Sequence, residues 1–266
     1  IDVEAAASFR FIYFQGEYSR IVGNMFRNND RTLNTNNVEV IKVAGHDNII
    51  SGNILNDFGT TVTPASIYGI LVTGVDRGVA LTAGSVSDNL EGHSNVIREN
   101  FVGEHDSSAE SRGIYNNTQD VQIVGNVVVG VTGSALSRGI FHANASTTES
   151  VIVRGNIVRS YNSTTTTHTQ DGVYVDTDGQ AVVADNAVYG FGRYGLFLLS
   201  DSAGSFVSSC SANVSDDQGA ASGSGTSALR LQQGAWTCTG NSVNTTQAEY
   251  GIYLAATTDG CVVTGN

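Results

Sequence analysis

The sequence predicts an all-β chain, a single-stranded right-handed parallel β-helix of about nine coils, and three observations predict it. One eight-residue phrase returns along the chain, as SRIVGNMF at 19–26, NIISGNIL at 48–55, VQIVGNVV at 121–128 and VIVRGNIV at 151–158. Its Asn recurs at Asn24, Asn53, Asn100, Asn126, Asn156, Asn186, Asn213, Asn241 and Asn266, at intervals of 29, 47, 26, 30, 30, 27, 28 and 25 residues. The composition suits many turns and few helices: 31 Gly and 1 Pro in 266 residues, 40% hydrophobic, only 14% charged.

Each copy of the phrase reads as one strand. Three and five residues before the Asn and two after it, the side chains are mostly Val, Ile or Leu, as at Val121, Ile123 and Val128 or Val151, Val153 and Val158, the alternation of a strand with one buried face. A second family of strands lies between the Asn positions: YGILV at 68, RGIYN at 112, RGIFH at 138, DGVYV at 171, YGLFL at 194, SALRL at 227 and YGIYL at 250. Every period repeats this set with Gly and Asn corners. Stacking one coil on the next, with parallel strands about 4.8 Å apart, satisfies the backbone without helices, and the crossover rule favours the right hand. An inward column of Ile50, Ile97, Ile123, Val153 and Val183 then gains roughly 1.5 to 3 kcal/mol per buried side chain. The Asn column is expected at a corner, in a left-handed backbone conformation, with amides bonded from coil to coil.

The whole chain, 1–266, reads as one domain. The 47-residue interval from Asn53 to Asn100 marks residues 74–92 as an insertion or a degenerate extra coil. GHDN at 45 and GHSN at 92 each precede their Asn at matching distance and read as the start of a coil. The chain opens at Ile1 without Met and breaks off inside the repeat at CVVTGN, so caps for the open strand edges are expected outside it. Cys210, Cys238 and Cys261 fall in inward columns and read as stacked core thiols rather than zinc ligands. No metal site and no cofactor is expected.

With 25 acidic residues against 13 basic ones and a net charge of -12, no nucleic-acid partner is expected, because nothing would neutralise phosphates. No apolar run reaches eighteen residues, so no membrane-inserted helix is expected.

The phrase xIxGNxV, carried over nearly the whole length, resembles the repeats of secreted and phage right-handed β-helix proteins, the pectate lyase-like superfamily, and within it the bacteriophage tailspikes and tail fibres most. The resemblance implies a carbohydrate ligand along the outer side of the helix, and it leaves activity open, since the same scaffold hosts lyases, epimerases and binders. The Asp-Pro-His-Asp motif of the epimerases, the paired aspartates of the polygalacturonases and the calcium-binding nonapeptide are not in the sequence.

Alternation places one column outward on the second strand family: Leu71, Tyr115, Phe141, Tyr174, Phe197, Arg230 and Tyr253, beside a column of Gly expected to leave room next to it. Tyr115, Phe141, Tyr174, Phe197 and Tyr253, with Arg112, are the candidate substrate-binding residues, since ring faces suit sugars; they suit a subunit interface equally well, and cover by a loop of the same chain is a lesser third alternative. Asp171 is expected one coil from Arg138, with Asp176 and Asp178 downstream, and these four are the candidate catalytic residues: acid, base and a cation for a uronate. The alternative is a charge column that merely neutralises itself. GEHDSSAE at 103–110 reads as a loop whose acids and His105 suit a metal or acid-base chemistry, or only solvent.

The reading is a virion appendage, extracellular and homotrimeric, contacting other virion proteins and a bacterial surface polysaccharide, with depolymerase activity left open. Two alternatives stand beside it: a secreted monomeric polysaccharide lyase or hydrolase, and a spacer or decoration protein without ligand.

Overall fold

The structure, a computed structural model, describes residues 9–27, 37–59, 66–74, 92–107, 109–133, 136–144, 150–160, 169–200, 207–218, 226–245, 248–255 and 260–266. All but the two ends of the segment 74–92 lies outside these residues.

Among the described residues the chain is all β. A coil consists of three strands, for example Glu110–Asn117, Val121–Val124 and Val127–Gly133, before the next begins at Leu136–Asn144. Each strand pairs in parallel with its counterparts one coil away, which builds sheet A of nine strands, sheet B of nine and sheet C of eight. The fold is therefore a parallel β-solenoid. Its register follows the sequence columns: Ile114 sits between Ile70 and Ile140, Ile123 between Ile97 and Val153, and Val128 between Val102 and Val158. These inward columns meet in one continuous core that runs the length of the solenoid.

The repeated phrase is two strands, not one. Val121–Val124 belongs to sheet B and Val127–Gly133 to sheet C, with the bend at Gly125 and Asn126. The inward positions change phase there, odd before the Asn and even after it, which a straight strand does not do. The left-handed backbone at this corner is also not taken by the Asn. It falls on the residue before: Gly23, Gly52, Gly125, Gly155 and Gly240, or Glu99, Asp185 and Ala212. That leaves the Asn side chain free to turn inward.

The inward Asn residues form a ladder. In the middle, Asn156 Nδ2 donates to Asn186 Oδ1 at 2.9 Å and to Ile123 O at 2.9 Å. Its Oδ1 accepts from both the backbone N and Nδ2 of Asn126, at 2.9 and 3.0 Å. The same amide-to-amide bond links Asn24 to Asn53, Asn53 to Asn100, and so on to Asn266. At the corner between sheets A and B, where the GHDN and GHSN stretches begin their coils, a related link runs through the backbone: Asn48 N donates to Asn95 Oδ1 at 3.1 Å, and the Nδ2 groups of Asn48 and Asn95 donate to Gly16 O and Gly45 O.

The Gly column of sheet A faces inward rather than beside the aromatic column. A Cβ on Gly113 would lie 2.4 Å from Val128 Cγ1, on Gly139 2.1 Å from Val158 Cγ1, and on Gly172 2.2 Å from Val188 Cγ1. At this point the strands of sheet A bend against sheet C, and two successive residues point into the core; Val40 and Ala228 take the same position in coils with more room. Cys210 and Cys238 are free and buried in register with one another, but Cys261, expected as a third stacked core thiol, is only half-buried, and Val263 takes the next place in their column. The mutual hydrogen bond of Cys210 and Cys238, followed by burial, pushes the Cys210 pKa well up and keeps it a thiol.

Two substitutions test these packing arguments. Asn156→Ala strands two buried donors of Asn126 and the Ile123 carbonyl, so it is expected to lower stability by at least about 3 kcal/mol in urea denaturation. Gly139→Ala drives a methyl into Val158 and is expected to cost about 1 to 3 kcal/mol, whereas Gly251→Ala, whose nearest neighbour is Val243 at 3.5 Å, stays within about 0.5 kcal/mol.

Candidate functional site

The outward column of sheet A assembles as its spacing predicts, and the neighbouring column fills the space over it. Tyr115, Phe141, Tyr174 and Phe197 stand in successive register on four strands, followed by Arg230 and Tyr253. Rings one coil apart meet each other: Tyr115 stacks on Phe141 with centroids 4.9 Å apart, and Phe141, Tyr174 and Phe197 follow edge to face at 5.1 and 4.5 Å. Arginines lie over them. The Arg112 guanidinium sits 4.3 Å from the Tyr115 centroid, Arg138 lies 4.1 Å from both Phe141 and Tyr174, and Arg230 spans Phe197 and Tyr253 at 5.3 and 5.0 Å. The stripe is thus partly covered by its own arginines: Phe141 and Phe197 are buried, and Tyr115, Tyr174 and Tyr253 half-buried. A ligand on this face meets guanidinium groups, ring edges and tyrosine hydroxyls more than open ring faces.

Carboxylates anchor the arginines. Asp171, wholly buried, accepts from Arg193 Nε at 2.8 Å and Nη2 at 2.7 Å, and from Arg138 Nε at 3.2 Å. Both its oxygens are engaged, so in this structure it holds two guanidiniums in place. Glu39 binds Arg10 and Lys42 in the same way, and Glu110 binds Arg112 and the Tyr68 hydroxyl. Two cations thus share one carboxylate at Glu39 and at Asp171. Arg230 has neutral partners, Gln232 Oε1 at 2.8 Å and the Tyr194 hydroxyl at 2.6 Å. Arg10, Lys42, Arg112, Arg138, Arg193 and Arg230 belong to this face, while Arg20, Arg27, Arg98, Arg154 and Arg159 lie on strands of sheets B and C.

Of the candidate catalytic residues, the fold brings Arg138 and Asp171 into contact and sets Asp176 on the same strand, Thr169–Thr177; Asp178 lies in the turn that leads to sheet B. Burial, then the Asp176 charge, pushes the Tyr174 hydroxyl up to about 12, and burial with Glu110 does the same for Tyr68. Neither phenol is a base near neutral pH. Arg193 escaped sequence reasoning, although GRYG at 192–195 places an arginine beside the column; its reach to Asp171 depends on the turn, where Arg193 N donates to Gln170 O.

Of the GEHDSSAE stretch, residues 103–107 end one strand, Phe101–Ser107, and Glu110 begins the next, Glu110–Asn117, where a loop was expected. His105 lies in Phe101–Ser107 and points into the core, fully buried, edge-on to Phe58 with centroids 5.7 Å apart. Neither ring nitrogen has a hydrogen-bond partner, and burial lowers its pKa to about 4. Glu110 faces Tyr68 and Arg112 on the outside.

At the other end, the corner between sheets A and B stacks Glu17, His46 and His93 from three successive coils. The His46 and His93 rings are parallel, 4.6 Å apart at 14°. His46 Nε2 lies 3.0 Å from Glu17 Oε1, and its Nδ1 lies 2.7 Å from Asp47 Oδ2. The Asp47 hydrogen bond raises the His46 pKa above the ordinary imidazole value, with Glu17 adding to it.

His105 makes acid stability testable. Unfolded, its imidazole takes a proton near pH 6.5; folded, it refuses one until about pH 4. Its share of stability is whole above pH 6.5 and is lost as pH falls toward 4, by about 3 kcal/mol. His105→Leu is expected to remove that share of the acid loss, read as the wild-type minus variant difference in urea midpoints at pH 7.5 and 4.5. Compared with protein-family models, with curated proteins and with solved structures, the chain matches none, so its parallel β-solenoid and its arginine-aromatic face stand on geometry alone.

Proposed function

We propose that this solenoid is the ligand-binding section of an extracellular virion appendage, and that the outer face of sheet A binds an acidic bacterial surface polysaccharide. The observation that carries the reading is the ladder of arginines and aromatic rings along one face. Arg112, Arg138, Arg193 and Arg230 repeat along the helix axis, as acidic groups repeat along a polysaccharide, and rings and tyrosine hydroxyls lie between them. Guanidinium forks match carboxylates of uronates, and ring edges and hydroxyls contact the sugar bodies. Asp171, with both oxygens held by arginine, supports a binding rather than a cleaving role for this face.

A homotrimer is part of the same proposal. Sheet C carries an outward apolar column, Met25, Ile54, Phe101, Val127, Ile157, Ala187 and Val214, of which Met25, Ile54, Ile157 and Val214 are exposed. Such a stripe rarely stays bare, and in a homotrimer the stripes of three copies would meet about the common axis.

Titration of the chain with uronate-bearing and with neutral bacterial polysaccharides tests the reading. The acidic polymers are expected to bind more tightly, less so as salt rises, and Arg230→Gln is expected to weaken them about tenfold without changing the trimer mass in light scattering. Equal affinity for neutral polymers, or an unaffected variant, would sink it. Release of unsaturated uronates that disappears in Asp171→Asn would instead make the face a depolymerase site.

A further inference from the structure

We propose that the corner between sheets A and B is a divalent transition-metal site, with His46, Asp47 and His93 as ligands and Glu17 orienting His46. One ligand atom from each of the three lies within 4.8 Å of the others, and all three residues are partly exposed, so an ion reaches them from solvent. Two imidazoles and one carboxylate suit Zn²⁺ and its neighbours Co²⁺, Ni²⁺ and Cu²⁺. They do not suit Ca²⁺ or Mg²⁺, which take oxygen ligands.

The geometry assigns the atoms. His46 Nδ1 and Asp47 Oδ2 already face each other at 2.7 Å. A metal takes the place of the proton between them, with bonds of about 2.0 to 2.2 Å to nitrogen and oxygen. The opposite nitrogen, Nε2, donates to Glu17 at 3.0 Å, the outer carboxylate that fixes tautomer and ring orientation at histidine-metal sites. His93 supplies the third ligand from the next coil. Its ring lies flat over His46, so binding tilts the two planes from their 14° stack until both nitrogens aim at one point.

Asp47 stands at φ 54°, a left-handed backbone that aims its carboxylate back over its own coil corner. The site joins residues 47 positions apart in sequence, His46 and His93, across the longest interval in the repeat. An ion there cross-links two coils and, through Glu17, steadies a third, so binding energy becomes folding energy.

The test uses the tag-free chain, stripped with EDTA and titrated near pH 7.5 with Zn²⁺, and with Mg²⁺ and Ca²⁺ as separate probes, by calorimetry and thermal melting. One Zn²⁺ per chain is expected, with a Tm that climbs with the logarithm of free Zn²⁺, and no response to Mg²⁺ or Ca²⁺. His93→Gln and Asp47→Asn are each expected to weaken Zn²⁺ at least tenfold, and Glu17→Gln about tenfold, with metal-free Tm unchanged. Asn tolerates the left-handed backbone of position 47, so that variant keeps its fold. A chain that binds no Zn²⁺, that binds Ca²⁺ in its place, or that holds Zn²⁺ equally well after both ligand substitutions would overturn the site.

Discussion

Everything else in the structure depends on the amide ladder that runs through the solenoid. An Asn turned into an apolar core is costly unless each of its donors and acceptors is met, and a single coil has no groups with which to meet them. The next coil has. Each buried Asn gives one amide hydrogen to its neighbour's oxygen and the other to a carbonyl of the preceding coil, and its own oxygen accepts two bonds in return. The arrangement has only one register, because a slip by one residue leaves a row of buried amides unpaired and turns every apolar column outward. The ladder thus specifies alignment, and the columns of Ile and Val supply most of the burial.

The corner that carries the ladder explains the neighbouring residues. A left-handed backbone immediately before the Asn turns the chain from sheet B to sheet C, which is why Gly recurs there and why Glu99, Asp185 and Ala212 are strained substitutes for it. Sheet A meets sheet C at a sharper place, and there the constraint is space rather than dihedral angle: the inward hydrogens of Gly113, Gly139 and Gly172 make room for valine methyls. Glycine serves two different physical purposes within one coil.

A rigid, repetitive scaffold leaves its outer surface free to vary, and the outer face of sheet A shows how variation is organised. Residues in one column stand about 4.8 Å apart, close enough for rings to stack and for a guanidinium to cover two of them. Carboxylates at Glu39, Glu110 and Asp171 then hold the cations at fixed heights. The surface is preorganised by neighbours above and below rather than by a second layer of structure, which is the property a binding face for a linear polymer requires.

What the sequence by itself determined was the set of columns: the period, the inward positions, the Asn ladder, the stacked thiols of Cys210 and Cys238 and the succession Tyr115, Phe141, Tyr174, Phe197. Those follow from repetition, because stacking converts equal sequence positions into neighbours. Only the tertiary structure decided what happens where the repeat is broken. That one phrase forms two strands was legible only in the phase change at the Asn, that the Gly column turns inward depends on how close sheet C lies, and His105 enters the core because its strand continues past the repeated positions. Arg193 reaches Asp171 from a turn, and the Asp47 carboxylate reaches His46, whose stack on His93 joins equal places in the repeat. Contacts between residues in equal positions need only the period. Contacts between unequal ones need corner angles and side-chain torsions, which no periodic pattern contains.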